Sequence, residues 1–345
     1  MRLIVMGTGP FAVPTLQFLL DAGHDIPLVV TRPLAATNPK KPPPRPVYQW
    51  AVERGLEVYE PASINASEAI ETLERYAVDL FFVCDYGQIL SNDCLAAARL
   101  GGINLHGSLL PRHRGAAPVQ WSLLRGDPES GVTVIHMTPR LDAGPALAIR
   151  STPVHADETA EQLEPRLAAL GITATADAIS LLEGWDGTSP LGSIQDQALV
   201  TRAPRFSKAD GQLDFRLPAE YLVRLFRACQ PWPGSFAELN WPGGKSMRVL
   251  VKAARSISTA QGQGSTAAPG TARVVEAEQL GLDWPSPYRT MISVTTTAGE
   301  FLIARLQPAG KREMDAGEFL RGHPLAGEEC SFALPLQPLA RLDER

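Results

Sequence analysis

RLIVMGTGPFA (residues 2–12) reads as one strand closed by a glycine turn. Leu3 to Met6 is an unbroken apolar run, the pattern of a strand covered on both faces. Gly7-Thr8-Gly9-Pro10-Phe11-Ala12 follows it in the order G-x-G-x-x-A, and a helical pattern occupies 11–21. Working outward, 26–31 (IPLVVT) is a second apolar run and 47–54 reads as helix. Further strand-like runs lie at 79–84 (DLFFVC) and 101–105 (GGINL). Strands alternating with helices predict βαβ units and a parallel sheet with helices on both faces. Between the second strand and the next helix, Arg32 to Pro46 is rich in proline, which excludes sheet or helix interior and predicts a long exposed loop.

Residues 131–137 (GVTVIHM) and 145–152 (PALAIRST) add two strands, arranged as a hairpin around Asp142-Ala143-Gly144, and 158–183 carries a helical pattern. The weakly patterned stretch 184–206 is the expected connection to a second domain. Beyond it come a helix over 218–229 and short runs at Met247–Ala253, Thr271–Glu276, Thr290–Thr296 and Glu300–Leu306. Such short strands separated by turns predict a small barrel or sandwich. The expected layout is a Rossmann-like α/β domain over 1–188, a linker over 189–206, a β-rich domain over 207–330 and a tail over 331–345.

The 345 residues carry a net charge of −5, which argues against a general nucleic-acid binder. Residues 208–255 depart from that average, with eight Lys and Arg against four acids, a local charge of +4. This excess suits either a polyanionic partner or a solvated mixed surface. The four cysteines, Cys84, Cys94, Cys229 and Cys330, are scattered, form no C-x-x-C pair and are read as free thiols; no metal site is expected. The glycines and prolines of the N-terminus break any signal-peptide core, and no run is long enough to span a bilayer, so a cytoplasmic location is expected.

The glycine turn invites a dinucleotide-binding reading. That fingerprint wants an acid about 20 residues on, at the end of the second strand, to hold a ribose. Here that end reads Val29-Val30-Thr31-Arg32, and Arg32 would suit a 2′-phosphate, so an NADP-binding protein stays open as an alternative. The other reading is a strand-to-helix turn that needs small residues for close packing.

Gly101 to Trp121 (GGINLHGSLLPRHRGAAPVQW) begins as a strand and breaks into a loop at the strand's carboxyl end, where open α/β sheets place ligands. Asn104 and His106 are two apart, so on an extended strand they share a side. An amide and an imidazole presented together can hold a developing oxyanion, and an acid beside the imidazole would orient it. Asp142, in the turn Leu141-Asp142-Ala143-Gly144, is the candidate acid. His24, His113, His136, His155 and His323 receive no role.

The run Asn104-Leu105-His106-Gly107-Ser108-Leu109-Leu110-Pro111, followed by Arg114-Gly115-Ala116-Ala117-Pro118, resembles the formyltetrahydrofolate-dependent formyltransferase family. Gly131-Val132-Thr133 and Leu141-Asp142-Ala143-Gly144 are similar to its downstream segment, and Gly7 to Ala12 to its opening turn. The resemblance implies that Asn104, His106 and Asp142 are catalytic and that 10-formyltetrahydrofolate is the formyl donor. It assigns Tyr86, Gly87, Ile89, Leu90, Ser108, Leu109, Leu110 and Pro111 to the folate cleft. Phe206-Ser207-Lys208, Arg227-Ala228, Pro231-Trp232-Pro233-Gly234 and Leu306-Gln307-Pro308-Ala309-Gly310-Lys311 resemble the second domain of the branch that formylates an aminoacyl-tRNA. That domain is an OB-like barrel, and the implied partner is initiator methionyl-tRNA, met by Lys40, Lys41, Arg45, Lys208, Arg248 and Lys252. A monomer is implied as well. A formyltransferase acting on a nucleotide-linked amino sugar is the alternative within the family. Two departures stand out: the 32–46 loop lacks the family's glycine-arginine element, and Asp85 and Ser91 replace an expected Ala and Pro.

Overall fold

A computed structural model of the chain describes residues 1–34, 43–258, 267–281, 284, 288–325, 330–339 and 342. It divides into two compact units: residues 1–122, 128–154 and 162–205 form the first, and 123–127, 155–161 and 206–345 the second.

In the first unit the apolar runs become strands β1 (Arg2–Gly7), β2 (Asp25–Val30), β3 (Val58–Tyr59), β4 (Leu80–Cys84), β5 (Gly102–His106), β6 (Glu129–His136) and β7 (Ala146–Pro153). Their order across the sheet is β3-β2-β1-β4-β5-β6-β7. The first five are parallel, while β6 runs antiparallel to β5 and forms the expected hairpin with β7. Leu3, Ile4, Val5, Phe81 and Phe82 are fully buried, as unbroken apolar runs between two helical layers require. The chain crosses from β3 back past β1 to β4, so the strand order reverses at the β1/β4 border. Crevices at the carboxyl ends of strands form at such a switch point. The Gly7–Ala12 turn leaves β1 there, the Asp85–Leu90 loop leaves β4, and β5 delivers Asn104 and His106 alongside.

Helices at Ser67–Glu74, Asn92–Ala96 and Pro118–Arg125 complete the layers, and Ala160–Glu183 is the long helix of the unit. Ser91 explains one departure from the family pattern: its Oγ accepts the Cys94 N–H at 3.2 Å and so caps the helix Asn92–Ala96. Of residues 189–206, expected as a linker, those up to 205 belong to the first unit and form a strap on it. Ala203 N–H donates to Arg114 O at 2.8 Å, Arg114 N–H to Thr201 O at 2.9 Å, and Ser193 and Ala146 exchange both backbone bonds.

The second unit holds β8 (Ser235–Asn240), β9 (Ser246–Ile257), β10 (Ala272–Glu276), β11 (Thr290–Thr295), β12 (Glu300–Pro308), β13 (Met314–Asp315) and β14 (Ser331–Phe332). All pairings are antiparallel, in the order β10-β11-β12-β9-β8-β14, with β13 on β12. Ala272 N–H donates to Cys330 O at 3.0 Å and Phe332 N–H to Gly270 O at 2.8 Å, which joins the two edge strands and closes an OB-like barrel. Two residues expected in a C-terminal tail are therefore a barrel strand. Phe215, Phe301 and Phe332 meet in the core, with ring centroids 5.3 to 5.9 Å apart. All four cysteines are free and buried. Among the described residues no helix is long and apolar enough to cross a membrane.

Candidate active site

A cavity of about 460 Å³ opens at the switch point, within the range of about 300–1,000 Å³ usual for small-molecule sites. Phe11 from the glycine turn, Asp85 to Leu90 from the loop after β4, Asn104 to Gly107 at the end of β5, and Met137, Thr138 and Arg140 to Asp142 from the hairpin all line it. The loop after β4 is held from outside. Gln88 Oε1 accepts the Ile64 N–H at 2.9 Å, and Asn65 Nδ2 donates to Ile89 O at 2.8 Å.

His106 is buried, and its Nε2 lies 2.9 Å from the carbonyl oxygen of His113. A carbonyl only accepts, so Nε2 carries the hydrogen and, in the neutral ring, Nδ1 keeps its lone pair. Nδ1 stands 3.8 Å from Asp142 Oδ2, an ion-pair separation too long for a direct hydrogen bond. That same Oδ2 accepts the Gly115 N–H at 2.8 Å, which fixes the carboxylate. Asp142 sits in the left-handed region at φ +49°, a conformation the tight turn imposes at a cost of about 1–2 kcal/mol for a residue with a Cβ. Asn104 borders the same cavity, and among the described residues its amide has no hydrogen-bond partner. The site thus offers an unspent amide and an imidazole whose Nδ1 faces a carboxylate.

The predicted residues divide. Asn104, His106, Asp142, Tyr86, Gly87, Ile89 and Leu90 come together around the cavity. Ser108, Leu109, Leu110 and Pro111, expected beside the folate, follow directly on His106 and Gly107 of the lining. Ser108 Oγ donates to Arg112 O at 2.7 Å, Thr133 Oγ1 donates to Ser108 O at 2.8 Å, and the Leu110 N–H donates to Thr133 Oγ1 at 3.1 Å. These bonds turn the segment inward to hold the loop behind His106.

Asp85, Arg140, Glu164 and Arg205 also line the cavity and were not singled out as site residues. Asp85 has φ +50°, and its carboxylate leans on the glycine turn. Solvent reaches it through the cavity, yet the surrounding protein pushes its carboxyl up, against the opposing pull of the Arg205 charge and the Gly9 backbone. Glu164, half-buried, is raised by burial and then by the Asp85 charge. Asp85 thus occupies the approach that a pyrophosphate would take over Gly9, which counts against the dinucleotide reading.

Of the expected tRNA contacts, Lys40 and Lys41 fall outside the described residues. Arg45 is already engaged, with its guanidinium 3.7 Å over the Tyr48 ring and paired with Glu60. In the second unit Arg216, Arg224 and Arg255 pair with Asp214, Glu220 and Asp157. Among the described residues Lys208, Lys245, Arg248 and Lys252 have no carboxylate partner. Arg248 and Lys252 flank Leu250 on one face of β9, opposite buried Val249 and Val251. Lys245 and Lys311 add to burial in holding the His323 imidazole below its ordinary value, a sign of a local positive field.

Comparisons with known proteins match both units of the chain. Residues 1–179 match the family model "Formyl transferase" and residues 205–324 match "Formyl transferase, C-terminal domain". A methionyl-tRNA formyltransferase of Rhodopirellula baltica is 46% identical over 339 residues, 95% of this chain and 96% of that one. Another, from Geotalea uraniireducens, is 37% identical over 330 residues, 94% and 96% of the two chains. In fold, the chain is similar to a crystal structure of HypX from Aquifex aeolicus in complex with tetrahydrofolic acid. The TM-score is 0.54 at 14% identity, over 93% of this chain and 47% of that one.

Proposed function

The chain belongs to the formyl transferase family, and we propose that Asn104, His106 and Asp142 carry out its reaction. The enzyme transfers the formyl group of 10-formyltetrahydrofolate to the α-amino group of methionyl-tRNA. Both parts of the chain support this acceptor, since the methionyl-tRNA formyltransferases match it through the barrel unit as well as the Rossmann-like one. The folate is a substrate that supplies the one-carbon unit, and Tyr86, Gly87, Ile89 and Leu90 are proposed to hold it. The cavity suits it, with apolar side chains from Phe11, Val83, Leu90, Val119 and Ile135 lining it beside polar ones such as Gln88, Asn104 and Arg140.

When the amine attacks the formyl carbon, the carbonyl oxygen takes up negative charge. Asn104 has its amide free to donate to that oxygen, and this unspent donor beside His106 and Asp142 carries the reading. His106 keeps Nε2 on the His113 carbonyl and moves its proton at Nδ1, toward the side on which Asp142 stands. Asp142 stands beside Nδ1 while the amine sheds its proton, and that proton leaves with the tetrahydrofolate nitrogen. Initiator tRNA is the proposed form of the acceptor, the cytoplasm the proposed location and a monomer the proposed state, with Lys208, Arg248 and Lys252 meeting phosphates.

Incubation with 10-formyltetrahydrofolate should yield formylmethionyl-tRNA and leave amino sugar nucleotides unchanged. Removing one oxyanion donor typically costs about 2.7–4 kcal/mol of barrier, roughly 10²–10³ in rate. Asn104→Ala and His106→Ala should each lose at least that much kcat with the fold retained. Near-normal turnover by folded His106→Ala protein would refute the assignment.

A further inference from the structure

Gln195 lies on the strap, in a stretch whose sequence pattern reads as a plain connection, yet it is 94% buried, with 6% of its surface exposed. Its Nε2 donates to two carbonyl oxygens, Asp142 O at 2.8 Å and Gly144 O at 2.7 Å. Its Oε1 accepts from Nε and Nη2 of Arg114, at 3.1 and 2.7 Å. A side-chain amide has two N–H donors and an oxygen that accepts twice, so Gln195 is saturated. No other residue type of this length supplies both a paired donor and a paired acceptor. Glutamate would face two carbonyl oxygens with a carboxylate, and methionine would leave four polar groups in a buried place without their partner.

The two ends of this clamp matter because of what they adjoin. Arg114 stands between His113, whose carbonyl receives His106 Nε2, and Gly115, whose N–H holds Asp142 Oδ2. Asp142 and Gly144 are the turn that presents the carboxylate, and that turn cannot relax toward the sheet. A Cβ at Gly144 would lie 1.8 Å from the backbone oxygen of His136. Thr201, further along the strap, accepts the His113 N–H on its Oγ1 at 2.8 Å. The strap therefore reaches the support of the imidazole and the backbone of the carboxylate residue through adjacent bonds.

We propose that Gln195 is a positioning residue for formyl transfer, which sets the gap between His106 Nδ1 and Asp142 Oδ2. It touches neither substrate and acts through Asp142, so the proposal rests on the catalytic reading of that residue. Misplacing a catalytic group by about 1 Å can cost 10²-fold in rate. A merely structural glutamine would instead lower stability and leave turnover per folded molecule intact.

The experiment is a double-mutant cycle on the full chain with 10-formyltetrahydrofolate and methionyl-tRNA, kcat being taken per folded molecule. Gln195→Glu keeps the acceptor for Arg114 and loses both donors; Gln195→Met loses everything at similar length. Each should lower kcat by about 10–100-fold with KM for both substrates little changed. In an Asp142→Asn background, itself strongly impaired, the further loss should shrink to about two-fold or less. If either variant fails to fold, the other carries the cycle. Equal losses in both backgrounds, or kcat unchanged in folded Gln195→Glu protein, overturn the positioning role and leave the catalytic reading standing. Undiminished kcat in Asp142→Asn overturns that reading and this proposal with it.

Discussion

The carboxylate of Asp85 fills the volume that a side chain at Gly9 would need: a Cβ there would lie 1.8 Å from Oδ2. The second glycine of the G-x-G turn thus makes room for an acid of its own chain, where a dinucleotide-binding enzyme makes room for pyrophosphate. Gly9→Ala should displace Asp85 and destabilise the protein by no more than about 1 kcal/mol, the low end for overpacking, because the atom in the way is the end of a side chain. In an Asp85→Ala background most of that loss should vanish. Thermal unfolding of the four proteins in this cycle checks the coupling, and an unchanged loss would refute it.

Asp85 and Glu164 also predict a pH dependence. Both carboxyls are held above their ordinary values in the folded chain, chiefly by burial, with the Asp85 charge adding at Glu164. A folded pKa raised above the unfolded one favours the fold while the group is protonated. That advantage is complete below the unfolded value and is lost as pH rises through the folded value. The double variant Asp85→Asn, Glu164→Gln should therefore have a higher Tm than the parent at about pH 7.5. The gain should disappear near pH 4. A Tm difference that does not change with pH would argue that the two acids are well solvated or paired.

The period-2 spacing of Asn104 and His106 was enough to put both on one side of a strand, because β5 is a regular interior strand between β4 and β6. The parallel sheet was legible for the same reason: Leu3 to Met6 and Leu80 to Cys84 are apolar throughout, as only strands covered on both faces are. Where a residue's role depends on contacts across long stretches of chain, the sequence offers no period to follow. Gln195 sits in a segment without pattern, and Glu164 looks like one more polar position on an amphipathic helix. Strand β14 is two residues long, and its closure of the barrel depends on Gly270 and Cys330. The hydrogen bonds that tie Ser108 to Arg112 and Thr133 follow no sequence period either.

Gly115 tests the mounting of Asp142 from the side opposite Gln195. It has φ +134°, and an added Cβ would lie 2.5 Å from the Ala203 carbonyl oxygen, a backbone atom with little freedom to move. Gly115→Ala should shift the amide that holds Asp142 Oδ2, lowering stability by about 1–3 kcal/mol and kcat by about 10²-fold. KM for the folate should stay near the parent value, since Tyr86 to Leu90 are untouched. A Tm loss with full kcat in the folded fraction would mean that the Gly115 bond is not needed to place the carboxylate.

Lys208, Arg248 and Lys252 have no acidic partner among the described residues, so a phosphate that meets one of them breaks no ion pair, although the Arg248 guanidinium lies 3.7 Å over the Phe236 ring. Arg216, Arg224 and Arg255, in the same basic stretch, would first have to leave Asp214, Glu220 and Asp157. Alanine at each of the three free positions should raise KM for methionyl-tRNA, leave folate binding alone and lower the slope of log affinity against log salt by roughly 1. Arg45→Ala should behave differently: losing the Glu60 pair and the Tyr48 contact should cost about 0–1 kcal/mol of stability, with a smaller change in tRNA KM. Methionyl-tRNA titrations across a range of salt concentrations distinguish the two groups. Salt slopes that match the parent in all three lysine and arginine variants would remove the barrel face from the proposed tRNA contact.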